Sequence, residues 1–444
     1  MPASPARTAA FDILLRVEHE SSYASELLHS NTYATLSTPD HALATELVMG
    51  VLRWRSLLDE AILLASSIKK LDLEVLIALR LALYQFRYLD RIPHRAALHE
   101  SVELVKRARK SSAAPFVNAV LRKLSTDPLC SSVSSVVNDF SPQAIAAAYA
   151  HPVWLVERWT QTYGIALAQQ ICRHDQTIPP TTLRLRSPNA QEKLAAEGIS
   201  LEPGKLLSSA RRVNSGDATK TQSFRSAHVV IQDEASQLIA ALVGPGHNRI
   251  LDCCAAPGGK TLAIADEHPD ATITAVEIHP HRARLMQKRF PAHAKVQTLV
   301  ADARTLPISH PFDLVLADVP CSGTGTLARN PEIKWRLKPQ DLRELHDRQF
   351  AILRSAAAHL APGGRVIYST CSLEKEENED VIEQAQKEDS SLRLLNCHDE
   401  LDRLQSTGVL TWPDPASLVQ GPYLRTIPGL HPCDGFFAAI LERN

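Results

Sequence analysis

Two cysteines stand in short turn-forming contexts, DVPCSGTG (318–325) and YSTCS (368–372), each directly after an apolar run of strand length. A lone buried cysteine is ordinarily inert packing. Two at the rim of one pocket, Cys321 and Cys371, form a nucleophilic pair, provided local donors or positive charge lower a thiol from its ordinary pKa of about 8.5. A further motif, LDCCAAPGGKT (251–261), reads as a strand ending in small residues, a Pro-Gly-Gly turn and the start of a helix. Gly258 and Gly259 there let backbone approach a ligand, and the helix N-terminus offers free N–H groups. A phosphate loop fits poorly, because G-x-x-x-x-G-K-[ST] needs glycine where Cys254 stands, and G-x-G-x-x-G also fails. Three acids complete the set: Glu277, Asp302 and Asp318 each close or follow a candidate strand. In a nucleotide-binding α/β unit, an acid in the position of Glu277 accepts hydrogen bonds from both ribose hydroxyls. Each acid alone reads as a polar strand-end residue, but three at successive strand ends would repel ATP and favour a nucleoside without phosphates over it.

These residues need a sheet to bring them together. RILDC (249–253), TITAVEI (272–278), VQTLV (296–300), FDLVLAD (312–318) and RVIYST (365–370) alternate with helical stretches, which predicts a doubly wound α/β sheet over 226–444. Ligands of such sheets bind outside the carboxyl ends of the strands, where the unusual residues fall. The first 150 residues differ, holding only Gly50 of the chain's 17 glycines. Apolar residues at three- and four-residue spacing over 41–65 and 73–90 predict amphipathic helices, punctuated by Pro93, Pro115, Pro128 and Pro142. A helical domain over 1–140 follows. Between them, HPVWLVERW opens a helix and PPTTLRLR (179–186) reads as a strand, so 150–225 is expected to be a small α+β module.

The chain has 444 residues, enough for several cores, with 44% hydrophobic and 22% charged residues. No apolar run of about 18 residues exists to span a bilayer, and the N-terminal stretch is broken by charges unlike a secretory signal, so a cytoplasmic location is expected. Lys plus Arg total 48 against 49 Asp plus Glu, so any basic surface must be local. From Arg80 to Lys123 ten Lys/Arg face three Asp/Glu, which suits a phosphate-facing surface or, more plainly, a solvated helix face. RNPEIKWRLK (329–338), with four basic residues and Trp335, suits phosphate contact and base stacking; the plainer reading packs the Trp on the sheet. The eight cysteines include no C-x-x-C pair, which argues against a zinc ribbon and a disulfide scaffold.

Together CCAAPGGKT, AVE, ADA, DVPCSGTGTLARNPEIKW, YSTCSLEKEENEDVI and CDGFFAAIL resemble the Fmu/Sun family of S-adenosylmethionine-dependent RNA cytosine-C5 methyltransferases, over roughly 150–444. LLDEAI (57–62), HRAALHESVELVKRARK (94–110) and APFVNAVLRKL (114–124) resemble a NusB-like RNA-binding helical domain, and the fusion is similar to enzymes that methylate a cytosine in 16S rRNA. The resemblance implies an all-α NusB-like domain, a small α+β RNA-contacting module and a Rossmann-like methyltransferase domain. It implies S-adenosylmethionine, with Cys254, Ala255, Ala256, Pro257, Gly258, Gly259 and Lys260 cradling its methionine end. Glu277 would hold the ribose and Asp302 the adenine amino group, while Asp318 would border both ligands. Cytosine C5 is too weak a nucleophile to take a methyl group unaided, so a thiolate must first add at C6. The resemblance gives that role to Cys371, implicates Cys321 in release of the product, and sets Asp318 against the pyrimidine N3/N4 edge. The target base must be unstacked for a thiolate to reach it. Lys260 would orient neighbouring acids rather than simply reach solvent. Glu277 stands where Asp is common, and CDGFFAAIL lacks the usual tyrosine. The expectation is a monomer acting on 16S rRNA with no metal and no membrane partner. The rivals are a tRNA methyltransferase and a non-catalytic assembly factor, which would have no use for two pocket thiols.

Overall fold

The computed structural model describes residues 3–20, 22–68, 70–126 and 141–444; Pro128, Cys130 and the expected boundary at 140 lie outside the described residues. The chain forms two compact units, Met1–Ile178 with Leu327–Leu337, and Pro179–Thr326 with Lys338–Asn444. Among the described residues no helix is long and apolar enough to cross a membrane.

The first unit is helical. Its hub is the helix Leu73–Tyr88, buried continuously from Ile77 to Gln85, against which the helices Pro5–Glu20, Thr38–Arg53, His94–Arg107 and Ala114–Thr126 pack. The helix expected over 41–65 is two, Thr38–Arg53 and Arg55–Ser66, because Trp54 leaves helical geometry (φ −104°, ψ 15°) and stacks on Tyr88 with ring centroids 5.0 Å apart. Polar residues of the hub are satisfied internally, as burial demands. Arg80 is gripped by both oxygens of Asp59 (2.6 and 2.7 Å) and by Glu18 (3.1 Å). Arg107 pairs with Asp12, Lys106 with Glu103 and Lys110 with Asp72. Of the basic stretch from Arg80 to Lys123, Arg80 is therefore core rather than surface, while Lys106, Arg107 and Lys110 stay at the surface beside their acids.

The segment Leu327–Leu337 corrects the reading of RNPEIKWRLK. Lys334 is buried and donates to the carbonyls of Arg53 and Ala150, both at 3.0 Å, and burial pushes its ammonium down to about 7. Trp335 Nε1 donates to Leu52 O (2.6 Å), and Arg336 to the carbonyls of Val17 and Ser22 (2.7 and 2.6 Å). Glu332 accepts the Ala24 N–H at 2.8 Å. Trp335 packs among the helices rather than on the sheet, and Lys334, Trp335 and Arg336 satisfy backbone carbonyls instead of presenting themselves to RNA.

The second unit holds two sheets. The small one comprises β1 (Thr182–Leu185), β2 (Ser200–Pro203), β3 (Ala210–Ser215) and β4 (Val229–Ile231), antiparallel in the order β2-β3-β1-β4. The helices Val153–Tyr163 and Ile165–Asp175, expected in the same module, belong to the first unit. Arg184 and Arg186 of the small sheet clamp Asp266 at 2.8 and 2.7 Å, and buried Glu234 accepts the N–H groups of Lys205, Leu206 and Leu207. The large sheet contains β5 (Arg249–Asp252), β6 (Thr272–Glu277), β7 (Val296–Val300), β8 (Phe312–Asp318), β9 (Leu360–Thr370), β10 (Leu392–Leu395), β11 (Val419–Gln420), β12 (Tyr423–Thr426) and β13 (Phe436–Arg443). Its order is β11-β12-β13-β9-β8-β5-β6-β7, with β10 beside β13. The five strands β5 to β9 run parallel to their neighbours within that set; β13 is antiparallel to β9. β13 buries Phe436, Ala438 and Ile440 on one face and Phe437, Ala439 and Leu441 on the other.

Candidate active site

Chain order reverses at β5, which lies between β6 and β8, and such a reversal opens a crevice at the strands' carboxyl ends. Asp252, Glu277 and Asp318 terminate β5, β6 and β8, and Cys371 follows β9 directly.

The loop after β5 leads into the helix Gly259–Glu267 through Gly258, whose φ of +96° suits only glycine and whose absent Cβ would stand 2.8 Å from Met286 Cγ. At Gly259 a Cβ would meet nothing nearer than the Gln232 amide at 3.6 Å. The turn at this helix N-terminus therefore carries no side chain, the space beside Gly258 being filled by Met286 and Phe290. Asp252 is buried, accepts the Thr261 hydroxyl at 2.7 Å, and is pushed up to about 6 by burial. Burial, with the nearby Cys253 and acids, raises Cys254 well above the usual thiol range, so what it offers a ligand is backbone and a neutral thiol.

Glu277 is buried; one oxygen accepts the His279 N–H at 2.8 Å, and the other lies 3.7 Å from Arg282. Asp302 differs. Arg304, two residues on, chelates its carboxylate at 2.6–3.0 Å in an exposed loop and holds it below the usual carboxylate range. Asp318 takes the Ser369 hydroxyl on Oδ1 and Lys260 Nζ on Oδ2, each at 2.7 Å. Burial opposes charge on Lys260, yet adjacent Asp318 outweighs it and the ammonium is held. The same Nζ lies 5.0 Å from the Phe436 ring centre, so a residue of the C-terminal CDGFF segment completes the cation's surroundings.

Cys321 and Cys371 come together, their Sγ atoms 3.2 Å apart, and the Cys371 N–H points at Cys321 Sγ (3.3 Å). The hydrogen bond that Cys321 donates to Cys371 Sγ, then burial, raise the Cys321 thiol well above its usual range, so it rests protonated. Gly325, last of PCSGTG, sits against Gly435: a Cβ on Gly325 would lie 2.2 Å from Gly435 O, and Gly325 N–H donates to Cys371 O at 2.9 Å. Gly435 was missed as a site residue, and its signal was the glycine of the CDGFF motif. Gly325→Ala is accordingly expected to push the Cys321 loop away from Gly435 and to disturb its hydrogen bond to Cys371 O. It should destabilise the protein by about 1–3 kcal/mol, as overpacked sites do, and remove most methyl transfer; thermal melting and a transfer assay on one preparation check both.

The fold and the crevice define a Rossmann-like methyltransferase. Comparison with known proteins refines that class. The model of the 16S rRNA methyltransferase RsmB/F family matches residues 240–442, that of the NusB family 4–126, and a RsmF/B-like ferredoxin-like domain 151–218. The probable ribosomal RNA small subunit methyltransferase B of Bacillus subtilis is 34% identical over 86% of this chain and 88% of its own. The ribosomal RNA small subunit methyltransferase B of Cronobacter sakazakii is 31% identical over 92% of each. Among solved structures, PH0851 superposes with a TM-score of 0.79 over 100% of both chains at 21% identity. A methyltransferase homologue from Pyrococcus horikoshii gives 0.56 at 22% identity, covering 68% of this chain and 99% of its own. These two likenesses show the fold. The chain belongs to the 16S rRNA methyltransferase RsmB/F family. The cofactor of such an enzyme is S-adenosylmethionine, and the bare glycine turn at a helix N-terminus, with a buried carboxylate one strand away, suits its amino-acid and ribose ends.

Proposed function

We propose that the enzyme methylates cytosine C5 in 16S ribosomal RNA through a covalent bond between Cys371 and C6. The observation that carries the reading is the 3.2 Å approach of Cys321 and Cys371 beside the Lys260–Asp318 pair. A Cys371 thiolate adds to C6 and delivers electron density to C5. Bound S-adenosylmethionine supplies the methyl group as an electrophilic sulfonium. Addition of Cys371 to carbon takes away the hydrogen bond that Cys321 donates to it, so Cys321 releases its own proton to solvent and, as thiolate, takes the C5 proton; the C5–C6 double bond reforms and Cys371 leaves as thiolate. Both oxygens of Asp318 keep a lone pair beyond their present donors, enough to accept from the base's N3/N4 edge while Lys260 fixes the carboxylate. Residues 254–260 cradle the methionine end, Glu277 the ribose and Asp302 the adenine amino group. The enzyme acts as a monomer, without a metal, in the cytoplasm.

Residues 1–140 serve as the RNA-binding domain, 150–225 as a further RNA contact and 226–444 as the catalytic domain. Support for the first comes from the groove between the helices His94–Arg107 and Ala114–Thr126, lined by Arg95, Arg122, His94 and His99, with Lys106 paired to the one acid there, Glu103. Arg95→Ala with Arg122→Ala should raise KM for rRNA and flatten the slope of log affinity against log salt by about 1 per lost phosphate contact, leaving cofactor binding intact. Equal slopes would reduce the groove to a solvated face. Point changes are the sound test, because deleting 1–140 would strip the partners from the buried Leu327–Leu337.

Transfer of tritiated methyl groups to unmodified 16S rRNA and to tRNA decides the substrate. Label in rRNA as 5-methylcytosine supports the reading; label in tRNA alone, or in neither, replaces it with a tRNA enzyme or a binding factor.

A further inference from the structure

Glu377 is fully buried, and its carboxylate meets four donors. Oε1 accepts the Ser322 N–H and Gln349 Nε2, each at 2.8 Å; Oε2 accepts the hydroxyls of Ser322 and Ser372. A carboxylate has about four lone-pair sites, so this one is saturated. Its backbone carbonyl also takes the Tyr368 hydroxyl at 2.6 Å. The donors are not scattered over the fold. Ser322 directly follows Cys321, Ser372 directly follows Cys371, and Gln349 Nε2 also donates to the carbonyl of Pro320, on the other side of Cys321, at 3.0 Å. Asn378, the next residue, accepts the Thr370 hydroxyl (2.6 Å) and donates to Ser372 O (2.9 Å), bracketing Cys371 as Gln349 and Glu377 bracket Cys321.

A buried charge is tolerated only when well hydrogen-bonded, and a saturated carboxylate has little freedom to move. We infer that Glu377 is a positioning residue for the methyl transfer, one carboxylate that fixes both cysteine loops and thereby sets how the two thiols address the base. The inference rests on the reading that both thiols act on one cytosine. Its negative charge also acts on Cys321, adding to the Cys371 hydrogen bond and to burial in keeping that thiol protonated.

Glu377→Gln tests this in the full chain. The amide keeps the shape, its oxygen can still accept from Ser322 N–H and Gln349, and its NH2 can donate to the two hydroxyls, which turn to accept. Two measurements are made on the variant. Iodoacetamide alkylation of Cys321 and Cys371 is followed by peptide mass spectrometry across pH, without RNA, and steady-state methyl transfer is measured in parallel. With the negative charge gone, the Cys321 alkylation midpoint should move to lower pH. kcat should drop between about 10- and 100-fold while KM for RNA and cofactor stays within about twofold, the signature of misplaced reacting groups. Glu377→Ala should do the same more severely, and if it fails to fold the Gln variant still decides. An unmoved Cys321 profile, or an unchanged kcat, overturns the inference. Alkylation needs no substrate, so a wild-type enzyme that forms no adduct would refute the covalent mechanism on separate grounds.

Discussion

Cys321→Ala is expected to leave the enzyme bonded to its RNA, and Cys371→Ala to form no bond and transfer no methyl group. The two results follow from the order of events. With Cys371 absent no thiolate adds to C6, and C5 stays too weak a nucleophile to react. With Cys321 absent, addition and methylation proceed, but C5 then carries both the new methyl group and its original proton, and the enzyme can leave only when that proton does. Cys321 Sγ lies 3.2 Å from Cys371 Sγ, so it is within reach of the carbon next to the one Cys371 holds. Its protonation also changes at the right moment. The largest influence keeping Cys321 a thiol is the hydrogen bond it donates to Cys371, which is lost once that sulfur is bonded to carbon. The measurement is denaturing electrophoresis of each variant with cofactor and radiolabelled rRNA. A slow-migrating complex for Cys321→Ala and none for Cys371→Ala is the expected pattern; the opposite pattern exchanges the two roles, and normal turnover by both variants removes the thiols from the chemistry.

The site was legible in the sequence to the extent that its residues sit at strand ends. β7 and β8 fall on VQTLV and FDLVLAD, and Glu277, Asp318, Cys321 and Cys371 gather at one edge because parallel strands deliver their carboxyl ends to the same side. Where a residue's role depends on a partner far away in sequence, the pattern was silent. β13 was seen only as a motif, since a strand buried on both faces shows no alternation and FFAAIL carries no periodic signal. Trp335 and Lys334 look like RNA-binding residues by type, and nothing local says that their partners are carbonyls some 280 residues earlier. Glu377 hides in EKEENED, a charge run that reads as a solvated surface although its member at 377 is fully buried. Arg80 hides the opposite way, counted with a basic surface while spent in a buried ion pair.

Glu277→Ala is expected to weaken S-adenosylmethionine binding roughly 30- to 150-fold while leaving RNA affinity nearly unchanged. The carboxylate offers about four lone-pair sites, of which the His279 N–H takes one and Arg282 lies beyond hydrogen-bond distance at 3.7 Å, so acceptors remain for two ribose hydroxyls. Each such bond is worth about 1–1.5 kcal/mol, which together convert to the stated range. Glu277→Gln keeps one acceptor and should fall between, at about tenfold. Asp302 serves as the internal comparison. Its carboxylate is exposed and already chelated by Arg304, so Asp302→Ala should cost a single bond of about 1 kcal/mol, roughly fivefold. The order, Glu277 well above Asp302, follows from burial and from how tightly each acid's arginine already holds it, Arg304 at 2.6 Å against Arg282 at 3.7 Å. Calorimetric titration with S-adenosylhomocysteine, alongside thermal melting to exclude unfolding, checks it. Undiminished binding by Glu277→Ala would remove that residue from the ribose, and a larger loss at Asp302 would mean that Arg304 releases its carboxylate when the cofactor enters.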